Sequence, residues 1–195
     1  MNKQIPWPLV IGSLLLAMGW GCSHDPTSPK IDPFCSSQPA SAIVVLEDAT
    51  LEAEIRDALG LGSKGELTCG LLETVTTLMA ENAGIASLAG IENLTRLTVL
   101  RIRANSLTDL SALRSLTFLA INENGNITDI SALSGLTHLA VLSLHTNPDL
   151  SDIQLLLDNP GLGAGDDVLV KSTNVSCADV DASRAKGVGV SSDCP

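Results

Sequence analysis

Three stretches of this chain share one frame: Leu100-x-Ile102-x-x-Asn105-x-Leu107, Leu119-x-Ile121-x-x-Asn124-x-x-Ile127 and Leu142-x-Leu144-x-x-Asn147-x-x-Leu150. A unit repeated at such a period cannot bury its apolar side alone, so neighbouring units must stack. Apolar residues two apart put both side chains on one side of a short strand, and the amide that follows can donate and accept hydrogen bonds inside a tight turn. Asn105, Asn124 and Asn147 are therefore read as structural turn residues in a solenoid.

The repeat is longer than the frame. The runs that start at Ile85 and at Ile127 carry apolar residues at the same offsets of 0, 3, 6, 9, 12, 15 and 17. The run from Leu107 lacks one three-residue step, which is expected on the convex side because its strand and asparagine are intact. The first coil is degenerate: Leu78 and Ala80 fill the strand frame, Ala83 stands at the asparagine position, and Asn82 falls one place early. Terminal repeats are often atypical because they meet a cap. A single long helix through the leucines is a poor fit, since a spacing of three drifts off a 3.5-residue seam and Asn, Gly, Ser and Thr interrupt it.

These frames resemble the bacterial leucine-rich repeat family of the internalin type, over roughly residues 43–177. The resemblance implies an α/β solenoid with a short parallel concave sheet, short helical or irregular convex turns and an N-terminal helical cap. Residues 46–60 suit that cap: Asp48 or Thr50 can cap a helix, Glu52 and Glu54 suit its positive end, Leu51, Ile55, Ala58 and Leu59 share a face, and Gly60 stops it. The organisation expected is a signal peptide (1–21), a Pro/Ser-rich tether (22–41), the helical cap (42–74), about four repeats (75–157) and a C-terminal cap and tail (158–195).

Lys3 followed by the apolar run from Leu9 to Met18 has the form of an export signal too short to span a bilayer. Gly19-Trp20-Gly21-Cys22 resembles a bacterial lipobox, which implies lipidation of Cys22. Gly21 and Cys22 fit; Gly19 and Trp20 depart from the usual aliphatic and small residues, so secretory cleavage near Gly21 stays open as the alternative. The expected location is the bacterial cell envelope, on a lipid anchor. Pro26, Pro29, Pro33 and Pro39 then make a semi-extended tether.

Apart from Cys22, the chain has Cys35, Cys69, Cys177 and Cys194, an even number in an exported protein. Of the three possible connectivities, a solenoid with its caps at opposite ends selects Cys35–Cys69 and Cys177–Cys194. A zinc site needs short paired spacings that are missing. The net charge is −11, and removing residues 1–21 takes away Lys3 and no acid, so nucleic acid is a poor partner.

No catalytic constellation is found. Ser143, His145 and Asp149 lie along one ribbon and do not converge. Gly161-Leu-Gly-Ala-Gly165 lacks the phosphate-loop spacing and reads as a turn, and Asp158, Asn159, Asp166 and Asp167 lack the alternation of a calcium loop. No metal or cofactor is expected. Thr108-Asp109, Thr128-Asp129 and Ser151-Asp152 each precede a convex turn that their hydroxyl or carboxylate can cap. Asn93, Asn126 and Asn174 begin glycosylation sequons, silent in a bacterium.

What remains is a binding module for an unidentified protein or peptide, expected as a monomer. Residues flanking the buried strand positions point onto the concave face and stack in columns. One is mostly apolar, Thr77, Val99, Phe118 and Val141; another is polar, Glu81, Arg103, Asn122 and His145; Met79, Arg101, Ala120 and Ser143 lie between. The binding residues expected are Val99, Arg101, Arg103, Phe118, Asn122, Val141, Ser143 and His145. Beyond the signal the only aromatics are Phe34 and Phe118, which is sparse for an interface. The alternative is a structural envelope protein without a dedicated ligand.

Overall fold

The computed structural model describes residues 35–195; the signal, Cys22, Phe34 and most of the tether lie outside the described residues. Among the described residues six short strands form one parallel sheet in sequence order: β1 Thr77–Met79, β2 Val99–Arg101, β3 Phe118–Ala120, β4 Val141–Ser143, β5 Asp167–Leu169 and β6 Gly189–Ser191. Their central residues are in register from Leu78 through Leu100, Leu119, Leu142 and Val168 to Val190. Every strand-to-strand connection is one coil, so the leucines of each frame stack into a single buried cluster from Cys35 to Val188. This is a leucine-rich repeat solenoid.

The sheet extends past the repeats read from sequence. Both β5 and β6 lie within residues 158–195, the segment taken for a cap and tail. Val168 and Val170 occupy the buried strand positions that Leu or Ile hold in the coils of β2 to β4. Thr173 replaces the turn asparagine, and its Oγ1 donates to the Val170 carbonyl at 2.7 Å, as the asparagine amides do three residues upstream.

The turn residues tie each coil to the one before it. Asn124 is fully buried; its Oδ1 accepts the Leu107 N–H at 3.2 Å, and its Nδ2 faces the carbonyls of Ile102 at 3.0 Å and Ile121 at 3.1 Å. Asn105 repeats this with Ile85 N–H, Ala80 and Ile102. Asn147 donates to Ile121 and Leu144. Each amide thus satisfies backbone groups of its own coil and the preceding one, groups that burial would otherwise leave unpaired. The residue before the ladder position is left-handed in five coils: Asn82, Ala104, Glu123, Thr146 and Ser172 all have φ between 54° and 59°. Asn82 is therefore not a misplaced ladder asparagine. It fills the left-handed position, which asparagine tolerates better than most residues.

On the opposite side the carboxylates do the capping. Asp109 Oδ1 accepts Ser111 N–H at 2.8 Å, Asp129 Oδ1 accepts Ser131 N–H at 2.7 Å and Asp152 Oδ1 accepts Gln154 N–H at 2.8 Å. The coil from Leu100 to Leu119 is three residues shorter than the one before it. It lacks the 3₁₀ turn that its neighbours carry at Ile91–Asn93 and Ser131–Gly135. A groove of about 640 Å³ opens there beside Ser87, Glu92, Asp109 and Arg114.

At the N-terminal end, helix α1 (Ala49–Ala58) is capped by Asp48, which accepts from Thr50 and Leu51 N–H through Oδ1. Its other oxygen accepts Ala86 N–H at 2.8 Å and Ser87 N–H at 3.0 Å, so one carboxylate caps the helix and fastens it to the first coil. Leu51 and Ile55 are fully buried and Leu59 is half-buried, whereas Ala58 is exposed: the helix buries a narrower stripe than its sequence pattern implies. Helix α2 (Cys69–Leu72) follows. The tether assignment extends too far, because Cys35 is buried, bonds to Cys69, and donates its N–H to the buried Asn93 Oδ1 at 2.7 Å. A cross-link and a buried hydrogen bond turn the last tether residues into part of the cap.

At the other end, α3 (Gln154–Asp158) leads to Asn159, which is 1% exposed and donates toward Leu133 and Leu136 carbonyls. Helix α4 (Cys177–Ala185) is capped by Ser176 and is tied to the chain end by Cys177–Cys194. Lys186, just after it, donates from Nζ to the Leu157 and Asn159 carbonyls at the end of α3.

Candidate functional site

The parallel register turns single outward residues into columns. Val99 pairs with Thr77 and Phe118, and Phe118 with Val141, so the apolar column is continuous and ends at Asp167 and Gly189. Met79, Arg101, Ala120, Ser143, Leu169 and Ser191 form the middle column, in which Arg101 is the one charged residue. Met79 is 59% exposed, while Val99, Phe118 and Val141 are half-buried.

The eight expected binding residues lie together on this face but differ in what they can offer a ligand. Arg101 lies over the Phe118 ring, its Cζ 4.7 Å from the ring centre, a cation on an aromatic face. Its Nε is buried and makes no hydrogen bond among the described residues. Arg103 is already engaged: Nε meets Glu123 Oε1 at 2.8 Å, a second nitrogen meets Oε2 at 3.0 Å, and Glu81 lies at 3.8 Å. The Glu123 hydrogen bond raises the Arg103 guanidinium above its ordinary range, and the same bond holds the Glu123 carboxyl below its own. Arg103 is therefore part of a surface ion network rather than a vacant cation.

Asn122 and Ser143 also differ from the expected exposed groups, at 5% and 8% exposure. Ser143 Oγ donates to Asn122 Oδ1 at 3.4 Å, so these short side chains bond across the strands, beneath the level of their longer neighbours. His145 is half-buried with Nδ1 at 3.2 Å from Thr146 Oγ1. What this arrangement can do is recognition: an apolar strip, one stacked arginine, and a rim of paired charges.

Sequence reasoning did not anticipate Glu123, which turns onto this face from its left-handed position beside the ladder. Nor did it place Asp167, Leu169 and Lys171 in the columns, because β5 was not recognised. The run Gly161 to Gly165 is the turn before β5: Gly161 N–H is held by Asn159 Oδ1 and Gly163 N–H by Asp166 Oδ2, each at 2.8 Å. Among the described residues no three of His, Cys, Asp and Glu converge as a metal site, and no helix is long and apolar enough to cross a membrane.

No protein-family model matches the chain, and none of the curated proteins does. Among solved structures it is similar to an internalin (inlF) from Listeria monocytogenes, with 33% identity and a TM-score of 0.56 over 68% of this chain and 45% of that one. Internalin C2 (inlC2) from the same organism matches at 22% identity and a TM-score of 0.39, covering 76% and 94% of the two chains. The functional domain of InlJ, also from Listeria monocytogenes, matches at 21% and 0.40, covering 67% and 38%. This chain spans a little under half the length of the first of these. The chain is a leucine-rich repeat solenoid, similar in fold to an internalin.

Proposed function

We propose that this chain is an exported binding module that engages a protein or peptide partner through the outer face of its sheet and is held to a membrane by a lipid on Cys22. The observation that carries the reading is the strip of Val99, Phe118 and Val141, with Arg101 stacked on it and the Arg103 network alongside. Apolar surface bordered by oriented polar groups is the composition of an interface centre and its rim. Two disulfides and the likeness to an internalin support export. The acidic chain disfavours nucleic acid as the partner.

The test is a matched pair of charge insertions. Phe118→Glu places a charge in the strip; Thr128→Glu places one at an exposed position outside the sheet. Co-purification from detergent-solubilised envelopes is expected to recover a stoichiometric partner with wild type and Thr128→Glu, and to lose it with Phe118→Glu. Equal recovery by all three would refute the face as the interface.

A further inference from the structure

We infer that the partner reaches Arg101 with a carboxylate carried next to an apolar side chain, so that the recognised element is a short acidic and aliphatic peptide segment. This rests on the sheet face being the interface, as proposed above, and names what it selects. Four observations lead to it. Arg101 is the single charged residue of the middle column, between Met79 and Ala120 on the adjacent strands. Among the described residues it has no acidic partner, whereas Arg103, two residues along, has Glu81 and Glu123. Its guanidinium lies over Phe118, which holds it beside the apolar strip, and a guanidinium donates parallel N–H bonds to a group that meets it in plane. Its Nε is buried without an acceptor among the described residues, a cost that a small swing toward a carboxylate would relieve.

The chemistry of the class follows from the surroundings. A guanidinium fork matches the two oxygens of a carboxylate, and the half-buried Val99, Phe118 and Val141 present an apolar surface beside it. The paired carboxylates of Glu81 and Glu123 flank the other side and would repel a second acid there, so the ligand carries its negative charge at one point rather than along its length. Because the whole chain is acidic, a run of acids would be repelled, whereas one acid between aliphatic residues would not.

The probes are two blocked pentapeptides, Ser-Leu-Asp-Leu-Ser and Ser-Leu-Asn-Leu-Ser, titrated into the full domain and followed by the side-chain Nε–Hε signals of arginine and the amides of the sheet. The Asp peptide is expected to move the Arg101 signal and to bind at least tenfold more tightly than the Asn peptide, with the difference shrinking in high salt. Arg101→Gln should abolish that preference, and Arg101→Lys should keep a part of it as a point charge. If both peptides shift Val99, Phe118 and Val141 equally, the face binds but without reading the acid, and the inference falls while the proposed interface stands. If neither peptide moves any sheet resonance, the inference is overturned, and the co-purification test judges the interface separately.

Discussion

The side-chain oxygen of Asn147 accepts the backbone N–H of Asn124 at 2.9 Å, so the residue that turns one coil is itself held by the residue that turns the next. Buried amides linked in this way give the stack its register, because each has a geometry that only one spacing of the coils satisfies.

Asn124→Ala should therefore cost about 1–3 kcal/mol, since it strands the Leu107 N–H and takes one of two amide donors from each of the Ile102 and Ile121 carbonyls, which keep Asn105 and Asn147. Asn126→Ala, two residues on and exposed, should change little. Urea unfolding of the pair measures the difference; equal midpoints would show that the ladder does not bear load.

Gly161 and Gly163 make a second contrast. A side chain on Gly161 would meet the Thr137 backbone at 1.9 Å from its oxygen, and backbone cannot rotate aside; nothing lies within 4 Å of the same atom on Gly163. Gly161→Ala is expected to destabilise by at least about 1–3 kcal/mol and Gly163→Ala by much less. Thermal melts of both variants check the ranking.

Asp48 predicts a pH dependence at the N-terminal cap. Partial burial pushes its carboxyl up, but backbone N–H groups of Ser87, Ala86, Leu51 and Thr50 together outweigh this and hold it below the ordinary carboxylate range. A depressed value in the folded state means the stabilisation is fully present above the unfolded value, about 3.9, and is lost as pH falls through the folded one. Asp48→Asn should lower stability at neutral pH and flatten its fall between about pH 5 and 2, which denaturant titrations across that window would reveal.

Much of this was legible in the residues themselves. Leucines at a spacing of three, strand frames and asparagines located β1 to β4, because each position repeats a physical requirement that few other residues meet. The break came where the chain meets those requirements differently. Val168 and Val170 fill the core in place of leucine, and Thr173 Oγ1 supplies the turn bond in place of an amide, so β5 left no frame to match. On the face, alternation told which side Arg101 and Phe118 take. It did not tell that Glu123, off the strand, would swing back to neutralise Arg103, or that Asn122 and Ser143 would bond to each other. Those outcomes depend on side-chain reach between coils, which a one-dimensional pattern does not contain.

The caps should fail in a defined order on reduction. Cys35–Cys69 spans a separation of 34 residues and Cys177–Cys194 one of 17. Loop entropy assigns them about 4 and about 3 kcal/mol respectively. Hydrogen exchange in reductant should show protection falling first between Ile55 and Leu78, while amides around Leu119 and Leu142 stay slow. Uniform loss would contradict a separate role for the N-terminal cap.

Anchoring is tested by Cys22→Ala, which should move the protein from the membrane fraction to the soluble one without changing its melting temperature. Retention of the variant in the membrane fraction would count against lipidation.

The central claim, that the outer sheet face is where this protein meets its partner, is tested most directly by photo-crosslinking in intact cells. A photoreactive residue at Val99 or Val141 is predicted to give one discrete adduct, common to both positions, whereas the same residue at Thr128 or Ser134 gives none. Adducts from Thr128 and Ser134 with none from Val99 and Val141 would place the interface on the other side of the solenoid and contradict the account.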